Sequence, residues 1–144
     1  MLAVAILAAA CSQRDPITSC DQSLEGAWQS DHGAAERWMI LERAGALEAY
    51  PLFPDRRPPN VSADLETAPR VIDLSRTPGR VAGDVKRRFM RHGAACISMA
   101  SVHVTACAND QLELVLADPP EPTGFDPCSF PRPDSSRRER WRRD

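Results

Sequence analysis

The sequence predicts an all-β domain, a small antiparallel barrel or sandwich of about seven to eight strands. Three observations carry that prediction. Short apolar segments recur about every 10–12 residues, each bounded by turn residues. No stretch sustains the 3.6-residue periodicity of an amphipathic helix. Apolar and polar residues alternate strictly in places, as at Val102-His103-Val104-Thr105. At 144 residues the length allows one domain.

The elements follow in order. Leu24 to Asp31 reads as a first strand running into the turn Asp31-His32-Gly33. Glu36 to Arg43 is a second strand, broken by Ala44-Gly45, and Ala46 to Leu52 returns as the other arm of a hairpin. Residues 53–60 hold three prolines and two arginines, which predicts a loop. Val71 to Arg76 alternates, Thr77-Pro78-Gly79-Arg80 turns the chain, and Val81 to Arg91 ends at His92-Gly93. Ala95 to Cys107 is rich in small and β-branched residues, and after the turn Asn109-Asp110 comes a seventh strand, Gln111 to Ala117. Six prolines between Asp118 and Pro133 exclude regular structure there. Ser136 to Asp144 reads as a closing edge strand with Trp141 turned inward, or as a short helix or a disordered end.

The first residues are different in kind. Leu2 to Ala10 is an unbroken apolar run followed by Cys11. Nine residues are too few to cross a bilayer as a helix, which takes about 20, but they fit the apolar part of a signal peptide. The segment Leu7-Ala8-Ala9-Ala10-Cys11 resembles the lipobox of bacterial lipoproteins. That resemblance implies cleavage before Cys11 and acyl chains such as palmitate on Cys11, hence a partner in the membrane itself. Ser12 after the cysteine resembles the family's outer-membrane signal. Residues 1–10 would then be a signal peptide, 11–23 a lipidated N-terminus and polar tether, and 24–144 a single β-domain that includes the Pro- and Arg-rich tail. Two other readings stay open. One is an ordinary secretory signal cleaved after Ala10, giving a secreted or periplasmic protein. The other is a short buried element of a cytosolic domain.

Cysteine arithmetic bears on the choice. An odd thiol in an exported protein needs an explanation, and the chain has five cysteines. Lipidation of Cys11 leaves Cys20, Cys96, Cys107 and Cys128, an even set suited to two disulfides in an oxidising compartment. On one continuous strand Cys96 and Cys107 would lie far apart and, at an odd offset, on opposite faces. A turn near Ala100-Ser101 would instead pair them. Ala100 and Ser101 are poor turn residues, and four thiols allow three pairings among which spacing does not choose. The expected set is Cys96–Cys107 and Cys20–Cys128, the second tying the tail to the start of the domain. With no C-x-x-C and no close Cys/His spacing, no metal site is expected, and no cofactor.

Catalytic signatures are absent. His32 and His92 precede glycines in turns, His103 sits between two valines, and there is no H-E-x-x-H, G-x-S-x-G or glycine-rich phosphate loop. Asn60-Val61-Ser62 matches a glycosylation sequon, a weak signal that means little if the source is bacterial. A net charge of −2 excludes a nucleic-acid binder on bulk charge. Arginine makes up 17 of the 18 cations, with Lys86 the exception. Residues 132–144 carry six arginines and three acids, against twelve cations and seventeen acids in the rest. That end is either a solvated strand or a surface for anionic lipid or an acidic partner. Lys86, Arg87, Arg88 and Arg91 would alternate faces on a strand and so not form one patch.

Gly26-Ala27-Trp28 resembles the Gly-x-Trp that opens the first strand of lipocalins and lipocalin-like proteins. In that family the tryptophan plugs one end of a ligand-holding barrel. Independently of the resemblance, Trp28 and Trp38 are core candidates. The expected function is a non-catalytic binding or structural module on the envelope, with another protein or an envelope component as partner. A lipocalin-like carrier of a small apolar ligand is the alternative, and a hydrolytic enzyme the third reading. No ligand-binding residue can be named from the sequence.

Overall fold

In a computed structural model, which describes residues 20–32, 36–52 and 70–144, eight antiparallel strands close into a barrel. They are β1 (Gly26–Ser30), β2 (Arg37–Arg43), β3 (Ala46–Leu52), β4 (Arg70–Thr77), β5 (Arg80–Arg91), β6 (Ala94–Cys107), β7 (Gln111–Ala117) and β8 (Ser136–Arg143). Each strand pairs with the next, and β8 closes on β1 through Trp28 opposite Arg143, Gln29 opposite Arg142 and Ser30 opposite Trp141. Closure of this kind leaves no sheet edge along the paired strands. The C-terminal segment is thus a strand paired on both sides, and Trp141 does point inward. The expected signal peptide, Cys11, the tether through residue 19, Gly33, the 53–60 loop and Asn60 lie outside the described residues.

Local chemistry sets the connections. Ala44-Gly45 and His92-Gly93 both place two consecutive residues at positive φ, the pattern of the hairpin turn whose twist matches the strands. Pro78-Gly79 joins β4 to β5, with the glycine at φ 72° where a side chain would be strained. In β5, Gly83 faces inward opposite Leu74, and a Cβ there would lie 1.9 Å from the Asp73 carbonyl oxygen. That contact requires glycine.

Strand alternation fills the interior. Leu112, Leu114 and Leu116 of β7 are all buried, as are Val102 and Val104 of β6 opposite them. Ile40, Leu47, Ala49, Ile72, Leu74, Val81 and Val85 complete the wall's inner face. Trp28, Trp38 and Trp141 have 0%, 1% and 1% of their surface exposed. The last two stack at 5.0 Å between ring centroids and 20° between planes. Eight strands leave an interior just wide enough to be packed by side chains or to hold one small ligand. Here large side chains occupy it.

The disulfides correct the expected pairing. Cys20 bonds Cys107, and Cys96 bonds Cys128, with Cα–Cα distances of 5.4 and 5.3 Å. β6 does not turn at Ala100-Ser101; it runs unbroken over 14 residues, so its two cysteines stand at opposite ends of the barrel. The pairing register with β7 shifts between Val104 and Ala106, a bulge at Thr105. The extra residue restores the parity, and Cys107, opposite the core residue Leu112, faces inward like Cys96. The tail is stapled as expected, but to β6 rather than to Cys20.

Candidate functional site

The two ends of the barrel are built differently. At the first end, residues 20–25 cross the opening. Leu24 is fully buried, and its carbonyl accepts a hydrogen bond from Trp28 Nε1 at 2.8 Å. Its amide donates to Glu42 Oε2 at 2.9 Å, and Arg76 donates to Glu42 Oε1 at 2.9 Å and to the Gln22 carbonyl at 3.1 Å. Burial pushes the Glu42 carboxyl upward, but the Leu24 amide and the Arg76 guanidinium together hold it below the ordinary carboxylate range. Arg143 lies 4.6 Å from the Trp28 ring and donates to the Ser23 and Glu25 carbonyls at 2.9 and 2.7 Å. The disulfide Cys20–Cys107 completes this floor.

At the other end the β5–β6 hairpin stands beyond its neighbours, since β4 reaches only Arg87 and β7 pairs only to Val102. Its inner side is covered by the β7–β8 connection. Cys128 bonds Cys96, Phe130 packs on Phe89 at 6.0 Å, and Arg91 donates to the Pro122 carbonyl at 2.7 Å. Beneath this, Glu139 is fully buried in the barrel. It accepts hydrogen bonds from Trp141 Nε1 at 3.0 Å, Ser30 Oγ at 3.2 Å and Arg137 Nε at 2.8 Å, and Arg137 continues to Asp118 at the rim. A buried charge is tolerable only when partnered in this way. Sequence reading missed this pair, although the inward parity of Glu139 with Trp141 is visible in Glu139-Arg140-Trp141.

Among the described residues, two clefts open at the barrel surface. One, of about 630 Å³, is lined by Gln29, Asp31, Gln111, Glu113, Arg140 and Arg142 and also by Cys107, Leu112 and Trp141 of the core. Glu113 is held there by the Thr105 hydroxyl at 2.8 Å and by Arg138 and Arg140 at 3.3 and 3.4 Å. The Thr105 hydrogen bond, opposed by partial burial and aided by the two arginines, draws its carboxyl below the ordinary range. The second, of about 530 Å³, sits at the rim between the tail and His32, Arg87 and Arg137, with Asp118, Glu121 and Asp134 as its acids. These acids partly neutralise the arginines: Arg137 pairs with Asp118, and Arg87 with Glu121 at 3.6 Å.

The sequence-predicted candidates separate in space. His32 follows β1, His92 is in the β5–β6 turn, and His103 faces outward from β6. The C-terminal arginines split by parity: Arg137 and Arg143 face in, Arg138, Arg140 and Arg142 face out. Lys86 and Arg88 point away from the tail and Arg87 and Arg91 toward it, so the cluster is divided as expected. All four cysteines expected in disulfides are in disulfides. Among the described residues, no group of three or more His, Cys, Asp or Glu is placed to hold a metal ion. No family model matches the chain, and comparisons with curated proteins and with solved structures give no significant match.

Proposed function

We propose that this chain is a bacterial envelope lipoprotein whose barrel is a non-catalytic, disulfide-locked binding or structural module, anchored through acyl chains on Cys11 and facing the outer-membrane side of the envelope. The observation that carries the non-carrier reading is the packed interior, with Trp28, Trp38 and Trp141 at 1% exposure or less. A barrel filled in this way recognises partners with its outer surface, rim and tail. The pairing of Cys20, Cys96, Cys107 and Cys128 among themselves supports the anchoring, because it leaves Cys11 as the fifth cysteine of the sequence. Acyl chains hold a protein to a leaflet at about 0.8 kcal/mol per buried methylene, so more than one gives stable attachment. Cys20, tied to the floor of the barrel, is nine residues from Cys11. An extended tether of that length spans about 30 Å at most.

Intact-mass measurement of the membrane fraction, with and without reduction, tests this reading. It predicts loss of residues 1–10, acyl additions at Cys11 and a four-proton mass gain on reduction of two disulfides. A soluble product retaining Met1 without acyl groups would overturn it. Apolar ligand seen by native mass spectrometry of the purified barrel would favour the carrier instead.

A further inference from the structure

We propose that the free end of the β5–β6 hairpin, with the stapled turn bearing Phe125, is a contact surface for an anionic lipid bilayer. Exposure is the first observation. Met90, Ile97 and Met99 are 69%, 56% and 49% exposed, and Phe125 is 101% exposed. Met90 stands opposite Ala95 and Met99 opposite Lys86, so Met90, Ala95, Ile97 and Met99 share the hairpin's outer face. Phe125 is presented by a closed turn, in which Thr123 N–H donates to the Ser129 carbonyl at 2.9 Å and Gly124 takes φ 77°. The bonds from Cys128 to Cys96 and from Arg91 to the Pro122 carbonyl hold that turn beside the hairpin tip. Met90, Ile97 and Met99 on the outer face and Phe125 on the turn that covers the inner side thus flank one hairpin tip.

Charge is the second observation. Residues 85–109 hold four cations and no acid, and the stapled turn, residues 121–130, adds Glu121 and Asp126. The surface is thus net positive within a protein of net charge −2, with Lys86 paired to Asp73 and Arg87 to Glu121. Arg91, near the tip, is bound to a neutral carbonyl. Two copies meeting at this surface would oppose like charges, whereas an anionic headgroup layer attracts them at about 1 kcal/mol per cation near the membrane. Shape is the third. Neither cleft is lined by Met90, Ile97, Met99 or Phe125. Apolar side chains on a projecting hairpin and turn suit a fluid interface, which conforms to them, better than a rigid protein pocket. The inference does not depend on Cys11, and the surface lies at the barrel end away from Cys20–Cys107.

Vesicle flotation tests it, using the full chain with Cys11→Ser, so that no acyl chain contributes, and both disulfides intact. Vesicles of phosphatidylcholine alone are compared with vesicles containing phosphatidylglycerol, at low and high salt. Partitioning is expected with the anionic vesicles, weakened by salt. Phe125→Ser, and Ile97→Ser with Met99→Ser, should each reduce it about tenfold. Phe125 is fully exposed, so that variant retains the fold, which tryptophan fluorescence verifies. Equal partitioning on both vesicle types, or partitioning unchanged by these substitutions as binding through residues 2–10 would give, overturns the proposal. Absence of binding overturns it too, and is the outcome expected if an acidic protein is the true occupant.

Discussion

Arg143 and Trp28 form a clasp across the seam where the last strand meets the first. The guanidinium lies over the indole at 4.6 Å and ties down the carbonyls of Ser23 and Glu25, while the indole nitrogen holds Leu24. One residue pair thereby reinforces the β1–β8 seam and fixes the segment that covers the floor. Arg143→Ala is expected to cost about 1–2 kcal/mol, from lost cation–π and charge-assisted hydrogen bonds discounted for partial exposure. Arg143→Lys should recover less than half, because an ammonium cannot stack and fork at once. Urea unfolding followed by tryptophan fluorescence measures both, and indistinguishable midpoints would remove the clasp from the account.

Gly83→Ala should be far more damaging. The added carbon would meet the Asp73 carbonyl oxygen at 1.9 Å, backbone that cannot move without separating β4 from β5. A loss of about 3 kcal/mol or more is expected, read as failure to yield soluble oxidised protein or as a large drop in melting temperature.

Glu139→Ala removes one partner of a buried ion pair and strands Arg137, Trp141 Nε1 and Ser30 Oγ. The expected cost is about 3–5 kcal/mol. A double substitution, Glu139→Leu with Arg137→Met, should be much milder than the single one. Chemical denaturation of the two variants decides this, and equal losses would contradict it.

Acid should loosen the barrel floor. The Glu42 carboxyl is held below its ordinary value, about 4.3. A depressed carboxylate contributes stability that is complete above the unfolded value and lost as pH falls through the folded one. Wild-type stability should therefore decline as pH drops below about 4, with Glu113 adding to the slope. Glu42→Gln should be less stable at neutral pH and show a shallower acid limb in urea midpoints taken across that range. Parallel limbs would show that Glu42 does not contribute.

The two disulfides should differ in what they protect. The chain separations of 87 and 32 residues correspond, in the chain-entropy picture, to about 4.6 and 3.7 kcal/mol. Removing Cys20–Cys107 by paired serine substitution should lower global stability more. Removing Cys96–Cys128 should chiefly expose residues 118–135 to protease. Non-reducing peptide mapping of wild type should recover Cys20 with Cys107 and Cys96 with Cys128, and any other pairing would overturn the topology at both ends.

The sequence by itself determined the first seven strands, because a two-residue alternation and its turn dipeptides are local signals, while Ser136 to Asp144 stayed open between strand, helix and disordered end. Ala46–Leu52 and Gln111–Ala117 match the structure residue for residue, and Trp28 and Trp38, core candidates as large aromatics, are buried. It also named four cysteines for disulfides. Tertiary structure decided which cysteines meet. One extra residue, Thr105, shifts the register with β7 and reverses the facing of everything after it, so parity counted along the sequence places Cys107 on the wrong side. Closure brings Arg143 onto Trp28 across 115 residues, and Arg137 beside Asp118 at the rim. The clefts and the protruding hairpin depend on which strands outrun their neighbours. Those relations are set by pairing between distant segments, and composition and periodicity, being local, carry no record of them.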